Sequence, residues 1–173
     1  MLRHRQKEET NMDLIQITEQ QVPTLAPLLA DFRVTLLSYL SIKAEPDVKA
    51  AEAEIKEFLQ AGYPIFAAEE NGTYAGYVVC KVVEDCVWVE HIYVRDEFRR
   101  RGVATMLFEK AEEVARSKGD DTVFNNVHPN NQGMIDFLRN KGYTVLNMIE
   151  IRKPYKGEKP ATIIRVGDNV FDY

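Results

Sequence analysis

The run Cys86-Val-Trp-Val-Glu-His-Ile-Tyr-Val94, followed within a few residues by a helix-period pattern, constrains the fold of this chain most strongly. A nearly continuous apolar run of this length suits a central strand, covered on both faces and flanked by other strands. After a short polar turn, apolar residues recur at Val103, Met106, Leu107, Ala111, Val114 and Ala115, and Gly119 is the stop signal. Thr122 to Val127 reads as a second buried strand. Strand, helix and strand in that order predict a parallel connection with a right-handed crossover.

The flanking segments supply the remaining layers. Leu14 to Thr18 alternates and predicts a first strand. From Glu19 to Leu40, apolar residues at Leu25, Leu28, Leu29, Phe32, Leu36, Leu37 and Leu40 follow helical spacing, with Pro27 expected to split or kink the helix. A second helix is expected from a cap at Asp47 to Gln60, with Gly62 closing it. Pro64–Glu69 and Thr73–Val83 flank Asn71-Gly72, a hairpin signature. Asn130 or Asn131 caps a helix through Met134, Ile135 and Leu138 that ends at Gly142. Tyr143–Ile151 is expected to be a strand and Ala161–Val166 the last one. The result is a mixed α/β (α+β) fold. Residues 1–12 form a polar stretch without the apolar core of a secretory signal and are read as a mobile extension, leaving 13–173 as a single domain.

Composition narrows the function classes. The 173 residues are 45% hydrophobic and 28% charged, as expected of one globular domain with a substantial core. No apolar run reaches the length of a membrane span, so no membrane partner is expected. A net charge of −5 argues against nucleic acid and favours an electropositive substrate such as an amine. Cys80 and Cys86 lie in apolar segments and read as buried thiols of a cytoplasmic protein, without a disulfide or metal site.

The segment that carries chemistry is Val94-Arg-Asp-Glu-Phe-Arg-Arg-Arg-Gly-Val-Ala-Thr-Met-Leu107. The uncapped N–H groups of a helix start and the preceding turn form a concave donor set at a positive dipole end. A diphosphate is the natural occupant of such a site. Gly102 and Ala104 leave the backbone bare, and Arg99, Arg100 and Arg101 add positive charge at the rim. The competing reading is an ordinary turn with a solvated basic run. Neither a Gly-Lys-Ser/Thr phosphate loop nor a Gly-x-Gly-x-x-Gly fingerprint is present.

Arg99-Arg100-Arg101-Gly102-Val103-Ala104 resembles the Gln/Arg-x-x-Gly-x-Gly/Ala signature of the GNAT (Gcn5-related N-acetyltransferase) superfamily, placed as there directly after the fourth strand. A second block at the usual separation, Val127, Asn131, Met134, Gly142 and Tyr143, extends the resemblance. It implies a mostly antiparallel central sheet with helices on both faces and a splayed pair of strands. It also implies acetyl-CoA as co-substrate, with no metal, and a small-molecule amine or protein amino group as acceptor. By that likeness the pantetheine arm lies along the end of the central strand at Ile92, Tyr93 and Val94. The pyrophosphate sits on Arg100 to Thr105, Val103 and Ala104 included, and Asn131 touches the cofactor near the thioester.

Acetyl transfer requires a base for the ammonium and a proton for the leaving thiolate. An ionisable residue in a buried strand needs a partner or a function. Glu90 and His91 on the central strand are therefore base candidates, beside His128 after the next strand. Alternation places Glu90, Ile92 and Val94 on one face, with His91 and Tyr93 on the other. Family members often use a Tyr as the acid seven residues after Asn131, where this chain has Leu138, and a Glu base where it has Asn126. Either Tyr93, Tyr143 or a water then replaces that Tyr as the acid, or the thiolate leaves unassisted. A non-catalytic acyl-CoA-binding module of the same fold is the alternative, and a homodimer through the last strands is left open.

Overall fold

A computed structural model describes residues 12–160 and 162–173. The expected extension therefore lies outside the described residues, except for Met12. The chain separates into two compact units, one ending at Ile135 and the other spanning Asp136–Tyr173.

The first unit is built on a five-stranded sheet in the order β1-β2-β3-β4-β5. These strands are Asp13–Gln16, Ile65–Glu70, Thr73–Val83, Cys86–Val94 and Phe124–Asn125. The first four pair antiparallel; β5 pairs parallel to β4. Asn71 and Gly72 both take positive φ between β2 and β3, the backbone that an Asn-Gly hairpin turn requires. Helices α1 (Val22–Tyr39) and α2 (Val48–Gln60) share a core with the sheet through Leu25, Leu28, Leu29, Ile55, Ile65, Tyr77 and Val79. Helix α3 (Val103–Ser117) crosses from β4 to β5 and covers the opposite face, its Lys110 ammonium 5.2 Å from the Phe66 ring.

Pro27 does not split α1, which runs unbroken through it. One lost N–H bond is offset by the burial of Leu25, Ala26, Leu28, Leu29 and Ala30 around it. Asp47 caps α2 as expected, accepting a bond from the Ala50 N–H at 2.9 Å.

The strand expected over Thr122–Val127 shrinks to Phe124–Asn125, paired only through Trp88↔Phe124 and Val89↔Asn125. The cause lies in β4. Val79 pairs with His91 but Cys80 pairs with Val89, so Glu90 is an extra residue, a bulge. The parallel ladder ends where that bulge begins, and among the described residues β4 beyond Val89 has no strand partner on its β5 side.

Helix α4 (Gln132–Asn140) runs across the boundary between the units. In the second unit, the strand expected over Tyr143–Ile151 does not form. Val145, Leu146, Met148 and Ile151 are exposed, and the segment has no ladder partner among the described residues. A strand is defined by that partner, so alternation alone could not make one. The expected last strand begins at Ile163 and is half of a hairpin, β6 (Ile163–Val166) with β7 (Asn169–Asp172), turned by Gly167 at positive φ.

Candidate functional site

The turn after β4 has the backbone of an anion cradle. Asp96–Phe98 form a single 3-10 turn, Arg100 and Gly102 take φ of 61° and 85°, and α3 starts at Val103. Non-glycine residues seldom hold a left-handed backbone, and here Arg100 does so immediately ahead of a helix start. No side chain caps α3. Its first N–H groups, at Val103, Ala104 and Thr105, are thus open donors at the positive end of the helix. A Cβ added to Gly102 would meet nothing within 4 Å, so the space before those donors is clear. Open donors, a bare backbone and a helix dipole together fit a pyrophosphate.

The three arginines divide the work. Arg99 donates to the Val94 carbonyl at 3.2 Å and pairs with Asp96 at 2.8 Å. Arg101 is tied to Glu70 and stacks 5.3 Å from the Phe98 ring centroid. Both brace the turn. Arg100 has no such partner among the described residues and is the free guanidinium at the rim.

A cleft of about 60 Å³ opens where β4 and β5 part. Its walls are Val89, Glu90 and Ile92 of β4, Asn125–His128, Asn131 and Met134, and Phe32 and Leu36 of α1. Asn131 N–H bonds to the His128 carbonyl, and its side-chain oxygen caps α4 by accepting from Met134 N–H at 3.1 Å. The carboxamide of Asn131 is thereby fixed in the cleft wall, where contact with a thioester was expected.

The structure separates the base candidates. Glu90 lines the cleft, with the Lys81 ammonium 3.9 Å from its carboxylate. His91 does not line it. It is 4% exposed and points into the α1–α2 side, its ring 4.7 Å from Phe32 and 5.2 Å from Phe58. Nδ1 lies 3.3 Å from the Tyr77 hydroxyl, and Nε2 lies 3.3 Å from Arg33 and 3.5 Å from Glu54. Burial, reinforced by the Arg33 charge, lowers its pKa to about 3. Tyr93 packs 5.9 Å from Phe32, and burial together with Asp31 and Asp96 raises its pKa, so it keeps its proton at neutral pH. His128 lines the cleft, stacked 5.6 Å from Tyr39, with its pKa lowered by burial. Leu138 is largely buried and offers no acid.

Of the residues singled out from the sequence, the structure brings Glu90, Ile92, His128 and Asn131 together at the cleft. Sequence reasoning did not anticipate Phe32, Leu36, Asn125, Val127 and Met134 as cleft walls, because a wall and a core face share the same apolar spacing. Among the described residues, no group of three or more His, Cys, Asp or Glu side chains could hold a metal ion, and no helix is long and apolar enough to cross a membrane.

One curated relative, an uncharacterised N-acetyltransferase of Methanocaldococcus jannaschii, is 34% identical over 89 residues, which is 45% of this chain and 38% of the relative. The chain thus spans well under half of that protein. Among solved structures, an aminoglycoside N-acetyltransferase in complex with CoA superposes with a TM-score of 0.65 at 21% identity, covering 82% of this chain and 93% of the other. A ribosomal-protein-alanine N-acetyltransferase from Brucella melitensis biovar Abortus gives a TM-score of 0.65 at 18% identity, covering 82% and 98%. At those identities the likeness is one of fold. The profile of the Acetyltransferase (GNAT) family matches residues 29–143, and the chain belongs to that family.

Proposed function

We propose that the protein moves an acetyl group from acetyl-CoA to a primary amine by direct attack in a ternary complex. The observation that carries this reading is the join of two features: an uncapped helix start behind Gly102, and a strand edge that loses its partner at Val89. One suits a pyrophosphate and the other a pantetheine arm, which forms strand-like bonds to the backbone of Ile92 to Val94. Arg99 and Arg101 hold the turn's shape, Arg100 meets the phosphates, and Asn131 faces the thioester end.

The coenzyme supplies the activated acetyl group; this chain supplies position and a base. Holding the two substrates together can account for about 7–11 kcal/mol of the barrier in favourable cases. Glu90 takes the ammonium proton, directly or through one water, because it is the carboxylate in the cleft wall. His91, outside the cleft, acts through the packing of Phe32. A bound water or Tyr93 returns a proton to the departing thiolate, itself a weak enough base to leave readily. Two free cysteines support a reducing cytoplasmic setting. We also infer that residues 13–173 work as one domain, and a homodimer through its last strands remains part of the proposal.

A non-catalytic acyl-CoA module is the second reading, favoured by Leu138 where family members often carry an acidic Tyr. The deciding experiment measures acetyl-CoA binding by calorimetry and thiol release with a panel of primary amines: a polyamine, an aminoglycoside, a free amino acid and a peptide N-terminus. Amine-dependent thiol release supports acetyl transfer. Tight binding with no release supports the second reading. Absence of binding overturns both.

A further inference from the structure

Two opposite charges stand together at the cleft. Glu90 is in its wall; the other polar side chains there are carboxamides and His128, which stays neutral near pH 7 because burial lowers its pKa. The second charge is Lys81 of β3. Tyr77 and Val79 of that strand pack into the core shared with α1 and α2, so alternation puts Lys81 on the same face, where Phe32 and Leu36 of α1 wall the cleft. Its ammonium lies 3.9 Å from the Glu90 carboxylate, and the two side chains are 38% and 30% exposed. That separation is too long for a hydrogen bond, so each group keeps its bonding capacity for a third party. An exposed pair of this kind adds little to stability, which leaves its placement beside the cleft to be explained.

The geometry points to a free α-amino acid as the acceptor, bound as a zwitterion, with Lys81 the residue that holds its carboxylate. This rests on reading the cleft as the acetyl-transfer site. An α-amino acid carries its ammonium and carboxylate on one carbon, so they stand about as close together as Lys81 and Glu90 do. Laid against that pair, its ammonium meets Glu90 and its carboxylate meets Lys81, and the four charges alternate in sign. One ammonium proton passes to Glu90, and the lone pair so exposed attacks the acetyl carbon. The nitrogen–carbon bond forms, the carbon–sulfur bond breaks, and a second proton of the original ammonium reaches the thiolate through the acid already named. The products are an N-acetylamino acid and free coenzyme A. Without Lys81 the substrate carboxylate would meet Glu90 alone, like charge against like. The same ammonium repels the second cation of a polyamine and gains nothing from a peptide N-terminus, whose neighbouring carbonyl is an uncharged amide.

The test measures kcat/KM of wild type, Lys81→Met and Lys81→Arg with the free amino acid acetylated fastest, its α-amide and its decarboxylated amine. In wild type the amino acid should lead both analogues, and the lead should shrink as salt is raised. Lys81→Met should raise the KM for the amino acid and cut its lead over the amide roughly 10-fold. Lys81→Arg should keep most of the lead, and the Kd for acetyl-CoA should hold in both variants. Comparing leads between proteins cancels the different basicities of the three amines. A residue serving only the fold would lower all three substrates together. If Lys81→Met folds poorly, wild type still decides: no lead for the amino acid, or a lead indifferent to salt, overturns the inference. An equal lead in Lys81→Met and wild type also overturns it. Either result leaves acetyl transfer standing. Acetyl-CoA binding with no amine acetylated overturns the acetyl-transfer reading, and this inference with it.

Discussion

His91 should make the stability of this protein unusually sensitive to mild acid. Its ring is enclosed by Phe32, Phe58 and Tyr77, with the Arg33 guanidinium 3.3 Å from Nε2. Burial first, and Arg33 second, lower its pKa from 6.5 to about 3. Between those values the unfolded chain binds a proton that the folded chain refuses. Stability is therefore fully present above about pH 6.5 and is lost progressively as pH falls toward 3. At about 1.4 kcal/mol per pH unit, the loss on going from neutral pH to about pH 5 is roughly 2 kcal/mol, and the whole window is worth roughly 5. For a chain of this size 2 kcal/mol lowers Tm by about 4–8 °C. His91→Gln keeps a polar group beside Tyr77 and Glu54 but cannot titrate. It should be less stable than wild type at neutral pH, and its decline toward pH 5 should be about 2 kcal/mol shallower. Denaturant melts of both proteins across this range measure the difference directly. Parallel pH profiles would mean that His91 accepts its proton in the folded state, and the argument from burial would be wrong.

Other perturbations separate the parts of the site. Gly102→Asn and Gly102→Asp both tolerate the left-handed backbone at φ 85°, but only the second brings a negative charge toward the phosphates. Calorimetry should show coenzyme A affinity at least about 10-fold weaker for Asp than for Asn. Glu90→Gln should lower kcat by about 10² to 10⁴ with the KM for acetyl-CoA little changed, and the limb of the pH–rate profile due to the base should move or vanish. An unaltered profile would exclude Glu90. A Cβ on Gly76 would sit 2.5 Å from the Tyr93 carbonyl and 3.1 Å from Val94 Cα, so Gly76→Ala must push β4. It should destabilise the fold by about 1–3 kcal/mol in thermal melts and raise the KM for acetyl-CoA, because β4 carries the edge proposed for pantetheine.

Local signals in the sequence were sufficient wherever the structure is locally determined. Asn71-Gly72 is read as a tight turn because few residue pairs hold two positive φ values, and Asp47 is read as a cap because its side chain reaches three residues on. Gly102 follows the same logic. Features set by pairing were out of reach. Nothing in Val89-Glu90-His91 reveals that β4 carries one residue more than β3 there, since a bulge is a property of two strands together. The shortened β5, and the lack of a ladder for the 144–151 segment among the described residues, share that cause. Alternation did place Glu90 and His91 on different sides, but it could not show that Arg33 and Glu54 wait on the His91 side.

The bulge at Glu90 connects two requirements of the proposed reaction. An unbroken β4 would continue its ladder with β5, leaving no free edge for a pantetheine arm and no gap for an acyl group. The extra residue ends that ladder, and the side chain carried past the break is the carboxylate that lines the resulting cleft. In the proposed reaction, one local irregularity would thus serve both the coenzyme, through the exposed β4 edge, and the base, through the Glu90 carboxylate in the cleft wall. The turn at Gly102 lies further along the same chain direction and is braced separately by Arg99 and Arg101. Loss of the base should therefore leave coenzyme affinity intact, whereas damage to β4 itself should weaken both.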